Sequence, residues 1–450
     1  MTPPSSTVPY RLAIFLRPFE NFFKRQASGG VVLLGATLLA LLLANSPARE
    51  LYHHFWEIDL AIGFREFGLT QSLHHWINDG LMAIFFFVVG LELKREFLAG
   101  ELANRRQAAL PIAAAIGGMV VPALIFYLFN PLGKEATGWG IPMATDIAFA
   151  LGIVALLGSR IPRSLAIFLT ALAIVDDLGA VVVIALFYTG DLSELSLLVA
   201  AGFFVLLMVG NRLKVQSPNF YALVGFGLWV GMLQSGVHAS IAGVIIGITI
   251  PVVPRFTRNQ FLHRSEQLLE KFREVKGGDG PFLEGERIGV LLAMEHICHD
   301  AVSPLQRMEH EMQNWVIFGV MPIFALANAG VTIGLHELAS SFVHPVTLGV
   351  IFGLLIGKPL GIFVFAWLAV RLGLAHLPAG VRWRQILGIG ILGGIGFTMS
   401  IFITSLAFGT SPLVTDAKIG IFVASLFAGI VGYLVLVRSG RPEETAGTVP

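Results

Sequence analysis

Residues 164–190 read SLAIFLTALAIVDDLGAVVVIALFYTG, an almost unbroken apolar run with two acids, Asp176 and Asp177, at its midpoint. A membrane-crossing helix needs about 20 consecutive apolar residues, so this run crosses a bilayer once. A carboxylate at that depth costs roughly 2.5–3.5 kcal/mol on insertion scales, and two in succession imply a function that uses them. The rest of the chain repeats the apolar pattern. Of its 450 residues, 55% are hydrophobic and 13% charged, and the mean hydropathy is +0.77. Such a composition excludes an ordinary soluble domain and predicts an all-α polytopic membrane protein. The 50 glycines suit close helix crossings and interrupted helices in lipid. The single cysteine, Cys298, excludes an intrachain disulfide, and a net charge of +1 gives no sign of a nucleic-acid partner.

Twelve apolar segments lie between charged or turn-rich breaks, near 30–45, 76–93, 108–130, 138–158, 164–189, 195–210, 218–235, 238–252, 314–333, 345–370, 385–408 and 414–437. Of the 30 Lys and Arg residues, 25 fall in loops on the side of the N-terminus and four in the opposite loops. The positive-inside bias therefore predicts a multi-pass protein with both termini in the cytoplasm. Residues 1–29 mix aromatic and basic side chains and read as an amphipathic cytoplasmic segment lying on the membrane face. The transmembrane domain is expected over 30–438 and a cytoplasmic tail over 439–450. A long cytoplasmic loop at about 253–312 carries HRSEQLLEKFREVK, with the spacing of a solvated helix, before GGDGP breaks it.

With the loop charges set aside, few ionisable residues remain inside spans. Asp176 and Asp177 lie in the fifth, Asp146 in the fourth and Lys358 at the midpoint of the tenth; the second holds Asp79 in its outer part and Glu92 near its cytoplasmic end. A buried cation and buried anions at equal depth imply that they meet. Neighbours on a helix diverge by about 100°, so one of the adjacent aspartates can pair with Lys358 while the other faces a watery cavity. A purely structural ion-pair cluster would need one acid, and this one has a surplus. Surplus acid in a low-dielectric site becomes neutral by taking a proton or a metal cation, and competition between those two states is the basis of exchange. The coupled groups should titrate as a unit, with cation binding failing in acid.

The fourth segment carries Gly138, Gly140 and Pro142 ahead of Thr145 and Asp146; the eleventh reads ILGIGILGGIGFTMSIFITSLAF, with glycines ahead of Thr398 and Ser400. Interruptions in two matching segments predict discontinuous helices around a midplane site. Their half-helix ends attract compensating charge, Asp146 at exposed N-terminal ends and Lys358 at exposed carbonyls. Spans 3–5 and 10–12 then read as an inverted repeat, each with a broken helix in the middle.

INDGLMAIFFFVVGLELKRE, AAIGGMVVPAL, IPMATDIAFALGIVALLGSR, ALAIVDDLGA, SGVHASIAGV, ANAGV, GKPLGI and GGIGFTMSIFI closely resemble the NhaA family of bacterial sodium/proton antiporters, and the resemblance runs from about Gly29 to Gly432. That family is among the known inverted-repeat transporters with broken helices, so the repeat reading is not independent of it. The resemblance implies a twelve-helix protein of the bacterial inner membrane, forming a homodimer. It implies electrogenic export of Na⁺ or Li⁺ against entering H⁺, activated at neutral to alkaline pH and requiring no cofactor. By resemblance Asp177 is the main cation ligand and proton carrier, and Asp176 its partner, pairing with Lys358 when no cation is bound. Thr145 and Asp146 match the crossing of the broken helices. Glu92, Glu96, His238, Glu309 and His310 match positions tied to pH response or the cytoplasmic entrance. The long loop just upstream of Glu309 and His310 departs from the shorter family members and puts the pH response in question.

Other classes fit less well. A different cation-coupled carrier on the same scaffold would lack the Asp-Asp-Lys cluster. An intramembrane aspartyl protease also needs two buried acids, but on separate helices sharing a water. No phosphate loop, zinc spacing or nucleophile constellation marks an enzyme. The pairs His53–His54 and His74–His75 sit near the outer surface without further ligands nearby.

Overall fold

The computed structural model describes residues 10–62, 69–190, 192–275, 285–332 and 334–439. The tail at 440–450 and the expected GGDGP break lie outside them. The chain opens with α1 (Tyr10–Ala44), one helix of 35 residues. At 1.5 Å per residue it is about 52 Å long, well beyond the roughly 30 Å hydrocarbon core. The part of it apolar enough to cross a membrane is Ala27–Ala44, close to the expected first span, and the helix continues unbroken from the segment before it. A glycine costs a helix only about 1 kcal/mol, so Gly29 and Gly30 do not end it.

Next come α2 (Arg49–Glu57) and a hairpin of β1 (Asp59–Ile62) and β2 (Leu69–Ser72), antiparallel with Asp59 opposite Ser72. Four-residue strands are too short to stand out as alternation, and the helical expectation passed over them. Then follow α3 (Leu73–Ala99), with a π-helical turn at Trp76–Leu81, and α4 (Arg105–Phe129). A tight 3₁₀ stretch, Lys134–Met143, leads through an extended link to α5 (Ile147–Leu157). The chain continues with α6 (Arg163–Phe187), α7 (Glu194–Arg212), α8 (Pro218–Ser235) and α9 (Ile241–Thr249). After them come α10 (Arg258–Glu274), α11 (Gly285–Ala301), α12 (304–328) and α13 (Leu335–Phe342). The last elements are α14 (Pro345–Arg371), α15 (Trp383–Gly393), α16 (Phe397–Phe408) and α17 (Leu413–Ser439).

Among the described residues, eight helical stretches are long and apolar enough to cross a membrane, or nine if α15 and α16, bent by 45° at their break, form one span. Twelve are expected from the sequence. The difference falls on α8, α9 and α12. With nine residues, α9 is only about 13 Å long. The first half of α12, PLQRMEHEMQNW, is polar and only its second half is apolar. The loop expected to hold one solvated helix holds two, α10 and α11, packed on each other without a buried residue in either. α11 escaped notice because its apolar residues follow no one-sided spacing.

Two apolar clusters hold the bundle. The larger takes residues from α1, α3–α6, α12 and α14–α17, and the smaller joins one side of α3 to α7, α8 and α9. A very close crossing is that of α4 on α14. A Cβ at Gly117 would run into the carbonyl oxygen of Gly361, and one at Gly361 into that of Gly117. Only bare backbones fit there, and their approach carries Lys358 into the larger cluster, beside Gly118.

Candidate functional site

The site grows from two chain breaks that cross. Ala144 to Asp146 are extended between the 3₁₀ stretch and α5, and residues 394–396 separate α15 from α16. Backbone polar groups freed by a break in lipid must find partners within the protein. Here each break serves the other. The Asp146 amide donates to the Ile395 carbonyl at 2.6 Å. The Thr145 hydroxyl donates to the Gly393 carbonyl at 2.9 Å, and the Ser400 hydroxyl to the Ile141 carbonyl at 2.7 Å.

Asp146, buried to 1% exposure, sits between two half-helix N-termini. Its Oδ1 accepts from the Phe149 amide of α5 at 3.2 Å, and its Oδ2 from the amide (3.1 Å) and hydroxyl of Thr398 on α16. One negative charge thus meets the positive ends of both. Lys358 takes the complementary place. Its Nζ donates to the Met143 carbonyl, at the C-terminal end of the 3₁₀ stretch, and to Asp176 Oδ1 and Oδ2 at 2.8 and 2.7 Å. Both side chains of this pair are essentially out of contact with solvent.

Asp177 differs from its neighbour. It is 2% exposed, and its Oδ1 has no hydrogen-bond partner. The charges acting on it are those of Asp176, Glu92, Asp146 and Lys358. A buried carboxylate oxygen without a protein donor is the exception among folded proteins and leaves this one free to take a proton or a cation. Asp176, Asp177, Asp146, Thr145 and Lys358 therefore come together.

Of the five residues matched to pH response, four gather around Arg95 at one end of α3 and His238 does not join them. Glu96 and Glu309 share Arg95, whose Nε donates to Glu309 Oε1 and Oε2 at 2.9 and 3.1 Å and whose Nη1 reaches Glu96 Oε1 at 2.7 Å. Burial pushes the Glu309 carboxyl above its ordinary range, and the Arg95 guanidinium pulls against it. Glu92 lies on α3 within electrostatic range of Glu309, Arg95 and Glu96, and His310 is an exposed neighbour of Glu309. His238 is elsewhere. Its Nε2 is 3.4 Å from Asp79, near the other end of α3, about 25 Å from Glu96 along the helix. His75 holds the second oxygen of Asp79 at 2.8 Å. His74 bonds Asn328 at 3.1 Å and Asn78 at 3.4 Å. His74 and His75 thus have hydrogen-bond partners, and among the described residues no group of three or more His, Cys, Asp or Glu could hold a metal. The sequence reading passed over Arg95, an arginine at the end of an apolar run that looks like any loop charge.

A sequence profile described as Na+/H+ antiporter 1 matches residues 20–436. A protein of Syntrophotalea carbinolica named Na(+)/H(+) antiporter NhaA 2 is 64% identical over 432 residues, covering 96% of this chain and 99% of the relative. The Na(+)/H(+) antiporter NhaA of Acidithiobacillus ferrooxidans is 50% identical over 439 residues, with 97% and 100% covered. NhaA 2 of Sorangium cellulosum is 46% identical over 446 residues, with 98% and 94% covered. A match this long, together with an all-helical membrane fold and acids buried at the crossing of two breaks, makes the chain a member of the NhaA family of Na+/H+ antiporters.

Proposed function

We propose that this sodium/proton antiporter binds Na⁺ or Li⁺ at Asp177, with Asp176 as second ligand, and that the same carboxylates carry the returning protons. The observation behind this reading is the solitary Oδ1 of Asp177, buried beside an Asp176 already held by Lys358. An arriving cation neutralises Asp177 and draws Asp176 from Lys358, while a proton neutralises Asp177 without moving that pair. The two occupants exclude each other, so one gradient drives the other. A proton on Asp177 alone would balance one cation; the electrogenic cycle takes a second, which Lys358 gives up when the cation draws Asp176 away and regains as the pair re-forms.

Alternating access follows from the crossing. Its hydrogen bonds join chain breaks rather than continuous helices, so the half-helices can tilt while Asp146 and Lys358 keep their ends neutral. Each break sits in the middle of a three-element unit, as an inverted repeat requires. The Glu92, Arg95, Glu96 and Glu309 group is at the cytoplasmic end of α3, and its protonation slows exchange in acid. The chain acts as a homodimer in a bacterial inner membrane, with both termini cytoplasmic, and catalyses no covalent chemistry. An aspartyl protease is disfavoured because Asp176 is committed to Lys358 and Asp146 to Thr398.

The experiment is a pH-gradient assay in everted vesicles. Added Na⁺ or Li⁺ should dissipate the gradient with the wild-type chain and leave it intact with Asp177→Asn. A correctly folded Asp177→Asn chain that still exchanges would overturn the assignment.

A further inference from the structure

The helical pair α10–α11 of the long loop is attached to the transporter at its base. Asp300, near the end of α11, accepts from Arg255 Nη1 at 3.4 Å, and its carbonyl accepts from the amides of Arg255 and Phe256 at 3.0 and 3.4 Å. Those bonds close the pair where it leaves and rejoins the bundle. The adjacent His299 reaches further. Its Nδ1 accepts from Arg307 Nη1 on α12 at 2.9 Å, and Arg307 Nη2 donates to the Gln216 carbonyl between α7 and α8 at 3.3 Å. Arg307, 9% exposed, thus pins the start of α12 to two other parts of the chain. Two residues further along α12 stands Glu309, locked to Arg95 of α3.

A guanidinium has donors and no acceptor, so its bond to His299 Nδ1 exists only while that nitrogen keeps its lone pair. We infer that His299 is a protonation-sensitive clamp, through which the helical pair holds α12 in place when the imidazole is neutral and lets it go when it is charged. A protonated ring would face Arg307 with like charge and turn towards Asp300, whose Oδ1 is already 3.6 Å away. The other charged groups around it are Arg255, bound to the same Asp300, and Glu295 and His296 on its own helix. Among the described residues Arg307 forms no salt bridge with a carboxylate that could replace the lost acceptor. The clamp lies outside the exchange site and acts on the helix that carries Glu309. It extends the proposed pH response and depends on that proposal only for its transport readout.

Two substitutions fix the clamp in either state. His299→Asn places an amide oxygen where Nδ1 accepts and cannot gain a charge, whereas His299→Lys carries a permanent charge. Backbone hydrogen exchange over 302–312 in the full-length protein should separate them, with chains compared at equal pH so that intrinsic rates cancel. At pH 8 the Lys variant should exchange several-fold faster than wild type and Asn, and at pH 5.5 wild type should join the Lys variant while Asn stays protected. Na⁺-driven exchange should follow, its acid limb moving at least about half a pH unit lower for Asn and higher for Lys. Equal hydrogen exchange in all three chains at both pH values overturns the clamp, whatever the transport result. If the clamp behaves as expected while the wild type moves no Na⁺ at any pH, the transport reading fails and the clamp stands.

Discussion

Lys358→Ala tests the charge arrangement most directly. The amine donates to both oxygens of Asp176 and to the Met143 carbonyl. Its removal strands a carboxylate that is 2% exposed, and breaking a buried pair from one side costs about 3–5 kcal/mol. The orphaned carbonyl adds about 1–3 kcal/mol. With an unfolding entropy near 2.1 cal/mol/K per residue, a chain this long loses about 1 °C per kcal/mol, so Tm should fall by roughly 4–8 °C. The assay is melting followed by tryptophan fluorescence in detergent at pH 8. Adding Asp176→Asn removes the stranded charge, and the double variant should regain at least about half of the loss. Exchange should suffer less from Lys358→Ala than from Asp177→Asn. The reasoning is refuted if Lys358→Ala melts within about 1 °C of wild type, or if the double variant melts no higher than the single one.

Asp177→Asn gives the opposite signature, because it gives up no hydrogen bond at Oδ1: Tm should hold or rise while exchange disappears, and a large fall in Tm would show an unseen structural role. Thr398→Val takes the hydroxyl donor from Asp146 and should cost about 1.5–3 kcal/mol, read as a Tm drop of a few degrees that Thr398→Ser restores. The raised Glu309 carboxyl takes its proton at a higher pH than a free glutamate. The Arg95 pair is therefore present at alkaline pH and lost as pH falls through that raised value. Glu309→Gln should accordingly show acid-like exchange rates even at alkaline pH, and an unchanged profile counts against a sensing role. Gly361→Leu forces α4 from α14 and, as overpacking, should cost at least about 1–3 kcal/mol with reduced yield of folded protein.

Hydropathy is a sum over neighbours in sequence, so the chain alone disclosed its membrane class and the depth of Asp146, Asp176, Asp177 and Lys358. Glycine and proline report on the local backbone, and the weak points near Gly140–Pro142 and Gly393–Gly396 were legible for the same reason. Helical divergence predicted that only one of two adjacent aspartates could meet Lys358, but nothing in residues 164–190 says which. That choice depends on how α6 is rotated on α4, where Gly179 lies against Met119, and on how α14 meets the same α4 at Gly117 and Gly361, far along the chain. The sharing of Arg95 by Glu96 and Glu309, the removal of His238 to the far end of α3 and the shortness of α9 were equally hidden. Each is a relation between segments hundreds of residues apart or a cap closed by another element, and composition or periodicity within one segment carries no trace of it.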